Sequence, residues 1–314
     1  MTEKLNPIER ALVAAAGMGP PDARSVLMLI CQAGIKGGGV NATVVREPGS
    51  TLAAPIVQSE GAAHYARREK IIKRTKAACD RVIDYAKHET LRKVEKHFRE
   101  TGVASAEGDE PKTLAEQLAF KKQRFSEEMA AVLREEATIA LATSGQQLFD
   151  EVGKETPWKL PTEDALKYLD GRENLFSGIT DEVHADVMRA LQDGLERGET
   201  KKELMSRIST AFDGIKQTRA DTIANTETAT AFNFARDKAM REAGVMHKKW
   251  LHSQRPEQEP RPTHVENDGQ TVPLDEPFDI GGVKFMYPSD DSLGARPEDI
   301  INCHCVAIPV EPEA

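Results

Sequence analysis

The chain has 314 residues, 39 % hydrophobic and 30 % charged, with only 5 % aromatic residues and a mean hydropathy of −0.50. No stretch approaches the roughly 18 apolar residues of a membrane-spanning helix, the start Met1-Thr2-Glu3-Lys4 reads as no signal peptide, and four cysteines are too few for a disulfide scaffold. A net charge of −9 excludes a protein that coats nucleic acid along its whole length, and reduced thiols in a cytoplasm are expected.

Asn6-Pro7 opens a short helix to about Gly17, and a second follows Pro20-Pro21 to about Gly34. Gly37-Gly38-Gly39 begins an arm punctuated by Pro48, Gly49 and Pro55, so residues 1–58 read as short helices and a flexible arm. Residues 59–153 read as a long helical hairpin or stalk. Its first helix, about 60–101, carries Ile72, Ile83, Leu91, Val94 and Phe98 near the helical period. Its second, about 112–153, carries Leu114, Leu118, Phe125, Met129, Val132 and Leu133. Pro157 and Pro161 mark 154–178 as a linker with a short helix near Leu166. Residues 179–314 then form one domain. An amphipathic helix runs from Ile179 to Leu195, and a second, capped by Thr200 with Glu203, ends near Gly214. A third spans about 216–243. Only afterwards does the texture turn to strands: Met246 to His252, Val283 to Met286 and Cys303 to Pro309, with turns at Asn267-Asp268-Gly269 and Gly281-Gly282. The fold class is α+β, long helices first and a small sheet at the end.

Charge is unevenly spread. Residues 61–100 hold 12 basic and 6 acidic groups, whereas 101–200 hold 11 and 21, and 251–314 hold 4 and 13. Arg67, Arg68, Lys70, Lys73, Arg74 and Lys76 could follow a DNA backbone by releasing its counterions. The competing reading is a solvated helix face, because Glu69, Asp80, Asp84, Glu89 and Glu95 interleave as i,i+4 partners.

Neither a phosphate-binding Gly-x-x-x-x-Gly-Lys loop, a Gly-x-Ser-x-Gly elbow nor a His-Glu-x-x-His pair is present. Cys303-His304-Cys305 is more informative. Alternation along a strand puts both thiols on one face, where His264 or His252 could complete a zinc set; the other reading is two small buried side chains. His264, near Arg261 and Asp268, could act as a general base or tie down a loop. No small-molecule substrate and no cofactor beyond that structural zinc are expected, and the chain is read as a non-enzyme.

Taken in order, Arg219-Ala-Asp-Thr-Ile-Ala-Asn-Thr-Glu-Thr228, Asn233, Ala235-Arg236, Gly244, Trp250, Arg261-x-x-His264, Asp268-Gly269-Gln270, Phe278, Tyr287-Pro288 and Asn302-Cys303-His304-Cys305 form a set. The set, over about 180–307, resembles the phage Mu F-like family of minor head (head morphogenesis) proteins. Arg219, Thr226, Glu227, Trp250, Arg261, His264, Asp268, Gly269, Asn302, Cys303 and Cys305 carry the likeness. His304 departs from it, standing where the family pattern has arginine, which removes a permanent charge and can add a metal ligand.

The resemblance implies a minor capsid component of the virion, made in the host cytoplasm and placed at the portal vertex or procapsid interior. Portal and other head proteins are the implied partners, with a contact to packaged or ejected DNA. Nine residues follow Cys305, too few for the toxin or enzyme module that often follows this domain, so a structural role is expected. A metal-dependent or His-based nuclease is the alternative. Thr226 and Glu227 are placed on the 216–243 helix. Trp250, Phe278 and Tyr287 are expected to pack the sheet against that helix, and Arg219 and Asn302 to bridge the two.

Overall fold

The computed structural model describes residues 56–105, 110–252 and 261–310. The short helices and arm expected up to residue 55 lie outside them. The helical part comprises α1 (Ile56–Thr101), α2 (Pro111–Leu118), α3 (Lys122–Glu151), α4 (Thr162–Gly171), α5 (Glu173–Glu196), α6 (Lys201–Ile215), a π-helical turn (Lys216–Ala220) and α7 (Asp221–Ala243). Then come β1 (His247–Leu251), α8 (Pro262–Glu266), β2 (Thr271–Pro273), β3 (Phe278–Ile280), β4 (Val283–Phe285), α9 (Pro297–Ile300) and β5 (Val306–Val310). The architecture is α+β, as expected. Among the described residues no helix is long and apolar enough to cross a membrane. The described residues gather into two compact units whose segments alternate: a helical unit within 73–134 and 167–224, and an α+β unit within 56–72, 135–166 and 225–310.

The helical unit is built on stripes of apolar residues at helical spacing. Val183, Val187, Leu191 and Leu195 of α5, Leu204, Ile208, Phe212 and Ile215 of α6, and Phe125, Met129 and Leu133 of α3 share one buried core. The capping box at the start of α6 forms as its spacing predicts. The Glu203 N–H donates to Thr200 Oγ1 at 3.4 Å, and the Thr200 N–H donates to Glu203 Oε2 at 2.9 Å. The helix expected over 112–153 is instead two helices, broken at residues 119–121. On a continuous helix Phe120 would point nearly opposite Leu118. The break turns it into the core, where its ring lies 5.0 Å from Phe125, 5.3 Å from His184 and 6.2 Å from Phe212.

In the α+β unit β1 is the middle strand of an antiparallel sheet ordered β2-β1-β5, with Lys248 opposite both Val272 and Pro309, and Trp250 opposite Ala307. β3 and β4 form a separate hairpin closed by Gly281-Gly282, both at positive φ (63° and 88°), as a two-residue hairpin turn requires. The three-residue strands β2 and β3 carry too little alternation to be read from sequence. α7 is buried almost all round, with Ala229, Ala231, Phe232, Ala235, Ala239 and Met240 in its apolar contacts. In α3, Gly145 leaves room for the buried Trp158 ring, which a Cβ at that position would overlap.

Period two along β1 sends Lys248 and Trp250 to the same buried face. Trp250 meets Phe278 at 5.4 Å and Phe285 at 5.7 Å, ring contacts among the strands, while of the three aromatics expected against α7 it is Tyr287 that meets a ring of that helix, Phe234 at 6.0 Å. The Lys248 ammonium donates to the Met286 carbonyl at 2.6 Å and lies 5.2 Å from the Phe278 ring centre. Burial pushes its pKa down to about 8; Asp237, Asp275 and Asp290 pull it up and Arg241 pushes it down, but burial prevails. The folded state therefore holds fewer protons than the unfolded state between pH about 8 and the ordinary lysine value, and stability rises across that window. Melting wild type and Lys248→Met in parallel checks this: raising the pH from 7.5 to 10 should favour wild type over the variant by about 2–3 kcal/mol.

Candidate metal centre

Cys303 and Cys305 lie in the turn between α9 and β5, just before the strand rather than within it. The chain reverses at Asn302, whose φ of 56° asparagine tolerates better than most residues. The Asn302 N–H donates to Thr226 Oγ1 at 3.0 Å, so its backbone, not its side chain, makes the expected bridge to α7. Asn233 Nδ2 donates to the Cys305 carbonyl at 3.0 Å. Arg236, fully buried, donates from Nε to the Ala307 carbonyl at 2.9 Å and pairs with Glu151 at 2.8 Å. Arg68 of α1 donates to the carbonyls of His304 (2.6 Å) and Cys305 (3.4 Å).

His264 comes from α8, which Pro262 opens in the first-turn position. Arg261, at the cap of that helix, donates to the carbonyls of Glu298 (2.8 Å) and Ile301 (2.5 Å), tying α8 to the loop that leads into Cys303. Trp250 meets the imidazole edge-on at 5.4 Å. His264 Nδ1 then lies 3.4 Å from Cys305 Sγ and 3.7 Å from Cys303 Sγ, and the three atoms are all within 4.8 Å of one another. The group is buried, with exposures of 4 % (His264), 1 % (Cys303) and 2 % (Cys305). A hydrogen bond with the Cys305 thiol, assisted by His264, holds the Cys303 thiol well below its ordinary pKa against the opposing effect of burial.

Both thiols reach one imidazole nitrogen, but from the segment ahead of β5 and not by alternation along a strand. His252 and His304 do not join the group. Asp268 and Gly269 serve the turn beside β1: the Asp268 carboxylate accepts the His252 N–H at 2.7 Å, and Gly269, at φ 84°, donates to the Trp250 carbonyl at 2.9 Å. Thr226 and Glu227 are buried on α7. Arg219 is a correction. It sits on the π-helical turn and pairs with Glu182 and Asp186 of α5, at 2.7 Å from the latter, within the helical unit rather than between helix and sheet.

Arg68 is a second correction. At 1 % exposure, with its guanidinium spent on two carbonyls, it is withdrawn from any DNA-facing surface. Arg67, Lys70, Lys73 and Arg74 are exposed, and Lys76 pairs with Asp80 at 3.1 Å and Asp221 at 3.6 Å. The clamp of Arg68, Asn233 and Arg236 on residues 304–307 was not assigned from sequence. Asn233 and Arg236 are marked in the sequence by their place in the motif set, which names no partner for them; Arg68 has no mark among its basic neighbours. Arg68→Met leaves two buried acceptors without this donor and is expected to cost about 2–4 kcal/mol, whereas Lys70→Met should stay within about 0.5 kcal/mol of wild type. Denaturant titration of both variants checks the contrast.

Three comparisons bear on these residues. A protein of Bacillus subtilis (strain 168), "Uncharacterized protein YqbB", is 28 % identical over 232 residues, covering 70 % of this chain and 74 % of that one. No solved structure matches. Residues 185–308, from α5 to β5 and including His264, Cys303 and Cys305, match the family described as Phage Mu protein F like protein, a family of phage head morphogenesis proteins.

Proposed function

We propose that this protein is a phage minor head protein that acts in head morphogenesis at the portal vertex or procapsid interior, in contact with the portal and other head proteins. The observation that carries the reading is the family match over residues 185–308, within which Arg219, Thr226, Glu227, Trp250, Arg261, His264, Asn302, Cys303 and Cys305 fall in order. Most of these residues hold the α+β unit together, which suits a component that assembles rather than turns over. The long helices supply faces on which partner helices can dock. The competing reading, a metal-dependent or His-based nuclease, needs a phosphodiester to reach His264. Exposures of 4 % or less at all three members of the cluster speak against such an approach.

Mass spectrometry of purified procapsids and virions tests the placement. The expected result is a low-copy signal in at least one of the two particles, and repeated absence from both overturns the reading.

A DNA contact belongs to the same proposal and rests on Arg67, Lys70 and Arg74, exposed at i, i+3 and i+7 on one face of α1. Filter binding of duplex DNA should weaken steeply with salt, and Arg67→Glu with Lys70→Glu should flatten the response. A wild-type response that is already flat removes DNA from the proposal.

A further inference from the structure

We propose that His264, Cys303 and Cys305 form a binding site for one thiophilic divalent ion of the zinc class, through Nδ1 and two thiolates, with a small exchangeable ligand such as water at the fourth vertex. The first argument is metric. Zinc bonds of about 2.3 Å to sulfur and 2.0–2.1 Å to nitrogen, at tetrahedral angles, put N and S about 3.6 Å apart and the two sulfurs about 3.8 Å apart. The observed N···S separations are 3.4 and 3.7 Å, and all three atoms lie within 4.8 Å. Two of the three edges therefore match those of a tetrahedral zinc site, and the sulfur–sulfur edge is at most 4.8 Å.

The second argument concerns lone pairs. A neutral imidazole offers one lone pair at Nδ1, so it can accept one S–H donor there, yet both thiols converge on that nitrogen. Three lone-pair donors aimed at one point satisfy a cation better than they satisfy each other. Two sulfurs and an imidazole favour zinc over calcium or magnesium, which take oxygen ligands.

The third argument is that the site is held in place from outside. Thr226, Asn233 and Arg68 fix the backbone on either side of the thiols, and Arg261 links the helix of His264 to the same loop. Such outer contacts set ligand orientation before the metal arrives. A bound ion would join two stretches of chain 39 to 41 residues apart, so binding would add to the stability of the α+β unit.

The experiment uses the full chain, purified without chelator, with elemental analysis for zinc and cobalt(II) substitution read by absorption. About one zinc per chain is expected, together with a thiolate-to-cobalt charge-transfer band and the visible bands of tetrahedral cobalt. Cys305→Ser and His264→Gln should each lower the zinc content at least about tenfold. Cys79→Ser, which removes a buried thiol outside the cluster, should keep both metal and band. Because the wild-type spectrum needs no variant to fold, it decides alone: a folded wild type that holds no zinc and gives no thiolate–cobalt band overturns the proposal. The cluster would then be a thiol–imidazole hydrogen-bonded core only. Metal content is read on the isolated protein, so failure here leaves the head-assembly reading untouched, and the reverse also holds.

Discussion

The α+β unit depends on one constraint above all: the carbonyls of residues 304, 305 and 307 are buried and must find donors. Arg68 supplies two hydrogen bonds, Asn233 a third and Arg236 a fourth. Buried carbonyls left bare would each cost about 1–3 kcal/mol, which sets the scale of what this arrangement prevents. A guanidinium suits the task because its planar fork can serve two acceptors at once and stays charged when buried. With the segment fixed, the two thiols meet His264 and β5 enters the sheet in register with β1. The donors come from α1 and α7, far apart in sequence, so the clamp also binds two helices to the sheet.

The same polar interior explains why α7 is hard to read as a surface helix. Many of its apolar residues are alanines, and Thr226, Glu227, Thr230, Asn233, Arg236 and Asp237 are buried beside them. Amphipathic contrast fades when a helix is enclosed on every side. What remains is an alanine-rich helix whose buried donors serve distant groups, Asn233 and Arg236 reaching the carbonyls of Cys305 and Ala307 and Arg236 also pairing with Glu151. Lys248 extends this pattern onto β1, where an ammonium is held by a carbonyl and an aromatic face.

Charge follows a related rule in the helical unit. Part of the basic excess of residues 61–100 meets acids elsewhere: Lys87 pairs with Asp213 at 2.7 Å and Lys76 with Asp221 at 3.6 Å. Such exposed pairs are worth little stability each, but they reduce the charge available to an outside polyanion. The surface left for DNA is therefore narrower than the sequence run suggests.

Much of the molecule was legible from local pattern. The helical stripes of the core, the Thr200–Glu203 box and the Gly281-Gly282 turn all rest on spacings of a few residues. The order of motifs from Arg219 to Cys305 was enough to point to the Phage Mu F-like match. Contacts between distant segments were decided otherwise. Phe120 breaks a continuous helical pattern because the core offers its ring more than a solvent-facing turn would. Arg68 leaves its basic neighbours because carbonyls about 236 residues away need its donors. Arg219 turns to Glu182 and Asp186. Sequence by itself determined most of the helices and the chemistry available near Cys303; only the tertiary structure decided which donor meets which acceptor, because a buried polar group left without a partner costs free energy and its partner comes from a distant segment.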